Sequence, residues 1–243
     1  MKGGSEKEVV ILSGARSPFG KFGGSLKDFT ATDLGVLAAR AAMERARISP
    51  EQIDQVVFGN AQQTSSDAVY LARHISLRAG IPVSVPALAV NRLCGSGFQS
   101  IITGAQMLRL GEADFVLAGG TESMSQAPHV IRGARWGMPL GQGRLEDSLW
   151  SALTDTHCGF SMALTAENLA THYGITREQA DEFAYQSQLR TKAAQESGRL
   201  SDEVVPISGV LDRDEHPRPD TTREALAALK PVFKKDGIVT AGN

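Results

Sequence analysis

The sequence has few cysteines and no apolar segment at its start. Only Cys94 and Cys158 occur among the 243 residues, too few for a disulfide framework, so we expect a reducing, cytoplasmic setting. The first eight residues lack the apolar core of a signal peptide. A secreted, disulfide-stabilised domain is therefore not expected.

The sequence is also poor in aromatic residues and has no excess of positive charge. Aromatic residues make up 6% of the chain, which disfavours a surface for stacking bases. Its 25 Lys and Arg against 27 Asp and Glu leave a net charge of -2, so no nucleic-acid partner is expected. No apolar run approaches the roughly 18 residues that a membrane helix needs, and no membrane partner is expected.

The first half of the chain alternates strand-like and helix-like segments. Short apolar runs predict four strands, at residues 9–12, 56–58, 85–90 and 114–118. Cap residues and glycines predict three helices between them, at residues 30–47, 70–79 and 97–110. This alternation predicts an α/β fold with a mainly parallel sheet and helices on both faces.

The second half has a different texture. Residues 123–150 are irregular, and helical signals return at Thr165–Tyr173 and at Thr176–Ser197, which starts with the capping box Thr176-Arg-Glu-Gln179. We therefore expect two domains, an α/β domain over residues 1–122 and a helical and loop-rich domain attached to it over residues 123–243. The abrupt end of the sequence at Asn243 raises the expectation that the chain is truncated.

The segment Asn91-Arg-Leu-Cys94-Gly-Ser-Gly-Phe98 carries the main chemical signal. It joins the third predicted strand to a helix, where free backbone N–H groups and the helix dipole favour a thiolate and can stabilise an oxyanion. Gly95 and Gly97 leave room for a substrate carbonyl beside the sulfur. Cys94 is therefore a candidate nucleophile, and the alternative is a buried apolar cysteine.

The other candidate residues carry weaker signals. Cys158 follows His157, but no second Cys or His pair stands at zinc spacing, so no metal site is expected and a structural role is favoured. Arg218 lies in a stiff charged loop, where it is either a solvated connector or a guanidinium for a nucleotide phosphate.

At these residues the sequence resembles the thiolases, CoA-dependent enzymes that make or cleave 3-ketoacyl-CoA. Six matching motifs run in family order along the chain: Arg16-Ser-Pro-Phe-Gly20, Asn91-Arg-Leu-Cys-Gly-Ser-Gly97, Gly119-Gly-Thr-Glu-Ser-Met124, Thr165-Ala-Glu-Asn168, Asp214-Glu-His216 and Val239-Thr-Ala-Gly-Asn243. Lys27–Asp33 and Ser65–Ala68 look most like the mitochondrial 3-ketoacyl-CoA thiolase branch and its bacterial relatives.

The resemblance implies specific roles for residues of this chain. Cys94 matches the nucleophile that becomes acylated, and residues from about 123 to 243 match the domain that holds CoA. Leu153, Met162 and Arg218 match positions that contact the pantetheine or the adenine nucleotide. Ser161 falls where many biosynthetic members carry a pantetheine-binding His, which favours the degradative branch. The CoA thioester is the substrate, and no other cofactor is implied.

The resemblance also implies an assembly and a truncation. Arg132–Gly141 matches the loop through which tetramers assemble, so the full-length parent is expected to be a homotetramer. The family's Gly-His-Pro, Cys-x-Gly and Asn-Glu-Ala-Phe segments are absent from this sequence. We therefore expect the chain to be the first three-fifths of a thiolase, lacking its second half, and to be close to inert alone.

Two other classes remain open at this stage. A β-ketoacyl synthase shares the fold and the acylated Cys, but lacks a large CoA-binding insertion such as residues 123–243. A non-catalytic CoA-binding or assembly fragment is the second alternative.

Overall fold

The computed structural model of the chain describes residues 8–243, and these form two compact units. The first comprises the described residues up to Ala127 together with Glu203–Glu215, and the second comprises Pro128–Asp202 and His216–Asn243. The division between residues 1–122 and 123–243, which rests on the texture of the sequence, stays a prediction.

The first unit is built on a parallel sheet of three strands: β1 (Gln55–Gly59), β2 (Ala87–Val90) and β3 (Val116–Gly120). The strand order is β2-β1-β3. Gly59 lies opposite both Val90 and Gly120, the last residues of the two flanking strands. All three strands therefore end level with one another at their carboxyl edge.

Three helices cover this sheet: α1 (Ala31–Ala46), α2 (Leu71–Arg78) and α3 (Ser96–Leu110). The predicted start of α1 is confirmed, because Thr30 and Asp33 each accept a hydrogen bond from the other's backbone N–H, both at 3.0 Å. The predicted end of α3 is confirmed at Gly111, whose φ of 74° places it in the left-handed region.

Both faces of the sheet are covered, as predicted for a parallel sheet. Val56 and Phe58 belong to the main apolar cluster, which also contains residues of α1 and α2. Val57 points to the opposite face and is fully buried, and on that face Gly59 lies directly against Ser96 of α3. The α/β fold class predicted from the sequence is therefore confirmed.

The first strand predicted from the sequence is wrong. Residues 9–12 have no regular secondary structure, and Ile11 is 81% exposed. A β-branched run becomes a strand only where its N–H and C=O groups pair with a neighbouring strand. No strand of the described residues pairs with this segment.

The second unit contains four helices: α4 (Ser148–Ala152), α5 (Met162–Tyr173), α6 (Arg177–Glu196) and α7 (Arg223–Ala227). It also contains two short antiparallel pairs, formed by strands β4 (His129–Val130) with β5 (Glu146–Asp147), and β6 (Thr154–Asp155) with β7 (Phe160–Ser161). The predicted capping box at the start of α6 is confirmed, with Thr176 and Gln179 in the reciprocal arrangement.

Buried acidic residues hold the end of the chain within the second unit. The Glu167 carboxylate on α5 is 2% exposed and accepts hydrogen bonds from the backbone N–H groups of Ile238 and Val239, at 3.0 and 2.8 Å. Asp181 on α6 accepts from the Asn243 amide at 2.7 Å. None of the helices in residues 8–243 is long and apolar enough to cross a membrane.

Candidate active site

Cys94 lies in the turn between β2 and α3, at the carboxyl edge of the parallel sheet. It stands four residues beyond Val90, the end of β2, and two residues before Ser96, the start of α3. Its side chain is free and exposed. The alternative of a buried apolar cysteine therefore does not describe this position, and ligands of open parallel sheets bind at this edge.

The turn that carries Cys94 is held by hydrogen bonds between residues that precede and follow it in the chain. Ser96 donates its hydroxyl to the Leu93 carbonyl at 2.6 Å and accepts from the Arg92 N–H at 2.9 Å. Asn91 accepts the Leu93 N–H through its side-chain oxygen at 2.9 Å. Leu93 has a φ of 52°, in the left-handed region that leucine seldom adopts.

Two glycines of the sheet, Gly59 and Gly120, allow the start of α3 to lie directly against it. A Cβ at Gly59 would lie 2.4 Å from the backbone carbonyl carbon of Ser96, and a Cβ at Gly120 would lie 3.2 Å from the Cα of Gly97. A Cβ at Gly97 itself would meet nothing within 4 Å. The helix start is therefore fixed from below by β1 and β3, while its first turn is open on the outside.

Glu122 is the acidic group nearest in the chain to the end of β3. Its carboxylate accepts from the Ala61 N–H at 2.9 Å and from the Asn60 amide at 2.8 Å, with a longer bond from the Gln62 N–H at 3.3 Å. Burial raises the pKa of the Glu122 carboxyl, and these donors offset part of that rise. Glu122 therefore fixes the loop that follows β1.

Three of the residues that the resemblance assigns to CoA lie side by side in the second unit. Leu153 directly follows α4, and its carbonyl accepts the Met162 N–H at 2.9 Å. Ser161 lies between them in β7, buried, and caps α5 by accepting the Leu164 N–H at 3.3 Å. The Met162 side chain is exposed, so it is available to a ligand.

Arg218, the fourth such residue, is held by a different element. Its backbone N–H donates to the Gln188 side chain on α6 at 2.8 Å, and the residue is exposed. Among the described residues its guanidinium has no acidic partner. Cys94 belongs to the first unit, and the four CoA candidates belong to the second.

Cys158 lies in the tight turn between β6 and β7. Its thiol makes only a long contact of 3.9 Å with the Asp155 carbonyl, and the His157 backbone N–H donates to the Asp155 carboxylate at 2.8 Å. Residues 8–243 contain no cluster of three or more His, Cys, Asp or Glu side chains arranged for a metal ion.

The first unit joins two sequence motifs that lie far apart in the chain. Arg16 donates to both Asp214 oxygens, at 2.7 and 3.0 Å, in a bidentate pair. Glu215 accepts from the Ser25 hydroxyl and from the Lys21 N–H, both at 2.7 Å. The bond from Ser25 and that from Lys21 hold the pKa of Glu215 below its usual value. These acidic residues fix the segment that precedes α1.

The residues that sequence reasoning missed are Asn60, Asn91 and Glu122 as a connected group. Asn60 and Asn91 directly follow β1 and β2, and Glu122 lies two residues after β3. Polar residues after neighbouring parallel strands meet at one edge of the sheet. The occurrence of a polar residue just after each predicted strand is therefore the sequence signal from which this group could have been predicted.

Comparison with known protein families identifies the family to which this chain belongs. Residues 9–243 match the family described as Thiolase, N-terminal domain. This chain is a member of the thiolase family. The human protein named 3-ketoacyl-CoA thiolase, mitochondrial, is 55% identical over 243 residues, which cover 97% of this thiolase chain and 61% of the human one. Beta-ketothiolase BktB of Cupriavidus necator is 44% identical, with 98% and 62% covered.

Solved thiolase structures agree with the fold. The crystal structure of human mitochondrial 3-ketoacyl-CoA thiolase in complex with CoA superposes with a TM-score of 0.93 at 56% identity, over 96% of this thiolase chain and 60% of that one. The acetyl-CoA acetyltransferase of Syntrophomonas wolfei gives 0.91 at 36% identity. This thiolase chain therefore spans about three-fifths of the length of the relatives that it matches.

The cytoplasmic location expected from the cysteine count is wrong. The human relative and its bovine counterpart, 55% and 54% identical, are both named as mitochondrial, and this finding contradicts the expected cytoplasmic location. A low cysteine count indicates a compartment in which disulfides do not persist, and it does not distinguish one such compartment from another.

Proposed function

We propose that this chain carries the nucleophile of an acyl transfer between CoA thioesters. The observation that carries the proposal is the exposed Cys94 thiol at the start of the 15-residue helix α3, in a member of the thiolase family. The helix dipole favours a negative charge at this place. The N–H groups of Gly95 and Ser96 donate to the Arg92 and Leu93 carbonyls at 3.1 and 3.0 Å, so the proposed donors are the first-turn N–H groups beyond Ser96.

The proposed reaction has two half-steps. The Cys94 thiolate attacks the thioester carbonyl carbon, and the oxyanion that forms is stabilised by N–H groups at the start of α3. Collapse of this intermediate breaks the carbon–sulfur bond to CoA, whose thiolate leaves and takes up a proton. In synthesis, this acyl group passes from Cys94 to the carbanion of a second acyl-CoA. In degradation, the thiolate instead attacks the 3-keto carbonyl of a 3-ketoacyl-CoA, and collapse breaks the bond between C2 and C3. The acyl-CoA carbanion that leaves takes up a proton, and the acyl group on Cys94 passes to a CoA thiol.

Of the steps of this reaction, deprotonation of the Cys94 thiol receives the least support from the described residues. Across residues 8–243 no histidine hydrogen-bonds to Cys94, and the one imidazole paired with an acid is that of His74, with Asp67 at 3.1 Å. A general base contributes about 10²–10⁴-fold to such a step. The 243-residue chain is therefore expected to be acylated slowly and to turn over far less than a complete thiolase.

The decisive experiment incubates the purified chain with acetoacetyl-CoA and detects the acyl adduct by mass spectrometry. The adduct is expected on Cys94, absent from Cys94→Ala, and retained in the matched variant Cys158→Ala. An adduct that survives in Cys94→Ala would remove Cys94 from its role. Thiolysis at the rate of a complete thiolase would overturn the expected low activity.

We further propose that residues 123–243 form the CoA-holding domain and that residues 1–122 form an α/β domain. Leu153, Ser161 and Met162 are proposed to contact the pantetheine, and Arg218 the adenine nucleotide. The adjacency of the first three, and the exposed guanidinium of Arg218, support this assignment. Calorimetry with CoA is expected to show binding that Arg218→Ala weakens. The control variant Arg199→Ala, which removes another exposed guanidinium, is expected to leave CoA binding unchanged.

A second candidate function is CoA binding without chemistry. The absence of a histidine partner for Cys94 in the described residues favours it. Binding of CoA by calorimetry together with no acyl adduct on Cys94 would select this alternative. The thiolase match disfavours a β-ketoacyl synthase. Extension of an acyl group on Cys94 by a malonyl thioester, with loss of CO₂, would reopen that alternative.

We also propose that the complete protein assembles as a homotetramer through residues 132–141. Trp136 is 88% exposed in this loop, and Met138 and Leu140 are exposed beside it in the sequence. Apolar side chains at such exposure are typical of interaction surfaces. Light scattering of the complete protein is expected to give four subunits, and Trp136→Ser is expected to give smaller species.

A further inference from the structure

The residue before the proposed nucleophile is held in an unfavourable backbone conformation. Leu93 has a φ of 52°, although a leucine side chain clashes with its own backbone in the left-handed region. Such conformations persist only where surrounding contacts determine them, and they cluster at functional sites. The contacts that hold Leu93 therefore also set the position of the next residue, Cys94.

The side chain of Asn91 connects this turn to the neighbouring loop. Its oxygen accepts the Leu93 N–H at 2.9 Å, and its amide nitrogen donates to the Ala61 carbonyl at 3.0 Å. Ala61 is 30 residues away in sequence and lies in the loop that follows β1. An amide is suited to this bridge, because it presents an acceptor and a donor at once.

Glu122 in turn fixes the loop that Asn91 contacts. The carboxylate accepts the Ala61 N–H at 2.9 Å and the Asn60 amide at 2.8 Å. Glu122 therefore binds the N–H of Ala61, while Asn91 binds its carbonyl. The carbonyl of Ala61 is thereby presented to Asn91 in a fixed orientation. The three loops that follow β1, β2 and β3 thus form one continuous set of hydrogen bonds.

We propose that Asn91 and Glu122 are positioning residues, which hold Leu93 in its left-handed conformation and so place the Cys94 thiol at the start of α3. Among the described residues, neither side chain hydrogen-bonds to the Cys94 thiol. The inference rests on the proposed role of Cys94 as the nucleophile. It predicts that both residues control the reactivity of the thiol through the conformation of Leu93.

The test measures the alkylation rate of Cys94 by iodoacetamide in the 243-residue chain, with Cys158→Ser as the background. Asn91→Ala is expected to lower the rate about tenfold, the order of magnitude by which leucine disfavours the left-handed region. Glu122→Gln places an amide group where N–H donors converge, and a smaller loss is expected. The matched control Gln106→Ala, which removes an exposed amide from α3, is expected to leave the rate unchanged.

A second substitution separates positioning from a general loss of structure. Glycine adopts the left-handed region freely, so Leu93→Gly is expected to restore most of the rate in the Asn91→Ala chain. A loss that arises from unfolding would not be restored in this way. Asn91→Asp keeps the acceptor for the Leu93 N–H and is the variant to measure where Asn91→Ala fails to fold; its rate is expected to fall between those of the parent and Asn91→Ala.

Several results would overturn the inference. A rate for Asn91→Ala within twofold of the parent would do so, as would a loss that Leu93→Gly leaves unrestored in a folded chain. Should the Ala variant not fold, a rate for Asn91→Asp equal to the parent would count equally against it. Alkylation needs no CoA, so these outcomes are independent of whether acetoacetyl-CoA acylates Cys94.

Discussion

Replacing Gly59 with alanine tests whether β1 fixes the start of α3. The new Cβ would lie 2.4 Å from the Ser96 carbonyl carbon and 2.5 Å from its oxygen. Ordinary van der Waals contacts begin at 3.4 Å. The backbone of β1 at Gly59 and that of α3 at Ser96 must therefore move apart by about 1 Å, the difference between 3.4 and 2.4 Å. Because both partners are backbone atoms, no side-chain rotation relieves the clash.

The energetic cost of this clash follows from overpacking in protein cores. Inserting a methylene into a well-packed region costs about 1–3 kcal/mol, and the absence of a flexible neighbour places Gly59→Ala toward the upper end. The displacement occurs two residues from Cys94, so its alkylation rate is expected to fall together with the free energy of unfolding.

The assay must follow the first unit by itself, because both tryptophans, Trp136 and Trp150, lie in the second. Hydrogen exchange of β1 amides in urea reports the free energy of unfolding of the first unit. Gly97→Ala is the matched control, since its Cβ meets nothing within 4 Å and alanine stabilises a helix by up to about 1 kcal/mol over glycine. A Gly59→Ala chain within 0.5 kcal/mol of the parent, as an order-of-magnitude limit, would refute the reasoning.

Three further predictions concern ion pairs and carboxylates. Arg16→Lys breaks one arm of the bidentate pair with Asp214 and is expected to lower the free energy of unfolding by about 1.5–3 kcal/mol, measured by urea denaturation. Asp54 accepts the backbone N–H groups of Phe115 and Asp114, just before β3, and these bonds lower its pKa from 3.8. The parent chain is therefore expected to have a higher free energy of unfolding than Asp54→Asn above pH 3.8, and to lose this advantage as pH falls through the lowered pKa. The Arg223 guanidinium, followed by the Gln186 amide, lowers the pKa of Glu182 from 4.5 to about 2, so stability is lost as pH falls from 4.5 to about 2. Carboxyl titration by NMR is expected to show this midpoint, and Arg223→Ala is expected to raise it toward 4.5.

Each of these predictions has a control or an outcome that contradicts it. The control for Arg16→Lys is Arg132→Lys, which alters an exposed ion pair with Glu146 and is expected to change the free energy of unfolding by less than about 0.5 kcal/mol. A pH-independent difference for Asp54→Asn would show that charge plays no part at β3. A midpoint near 4 for Glu182 in the parent chain would contradict its pairing with Arg223.

Several parts of the fold and site could be predicted from the sequence because they depend on near neighbours. The capping boxes at Thr30 and Thr176 and the left-handed end of α3 at Gly111 each involve residues three or four apart. The location of Cys94 between a strand and a helix follows from the same local signals. Such features are specified within one or two turns of chain.

Only the tertiary structure decided which distant residues meet. The register that ends three strands level, the contact of Gly59 with α3 and the chain of bonds from Glu122 through Ala61 to Asn91 join positions 30 or more residues apart. The same reason explains the failure at residues 9–12. Strand propensity is local, whereas a strand also requires a neighbour that no local pattern specifies.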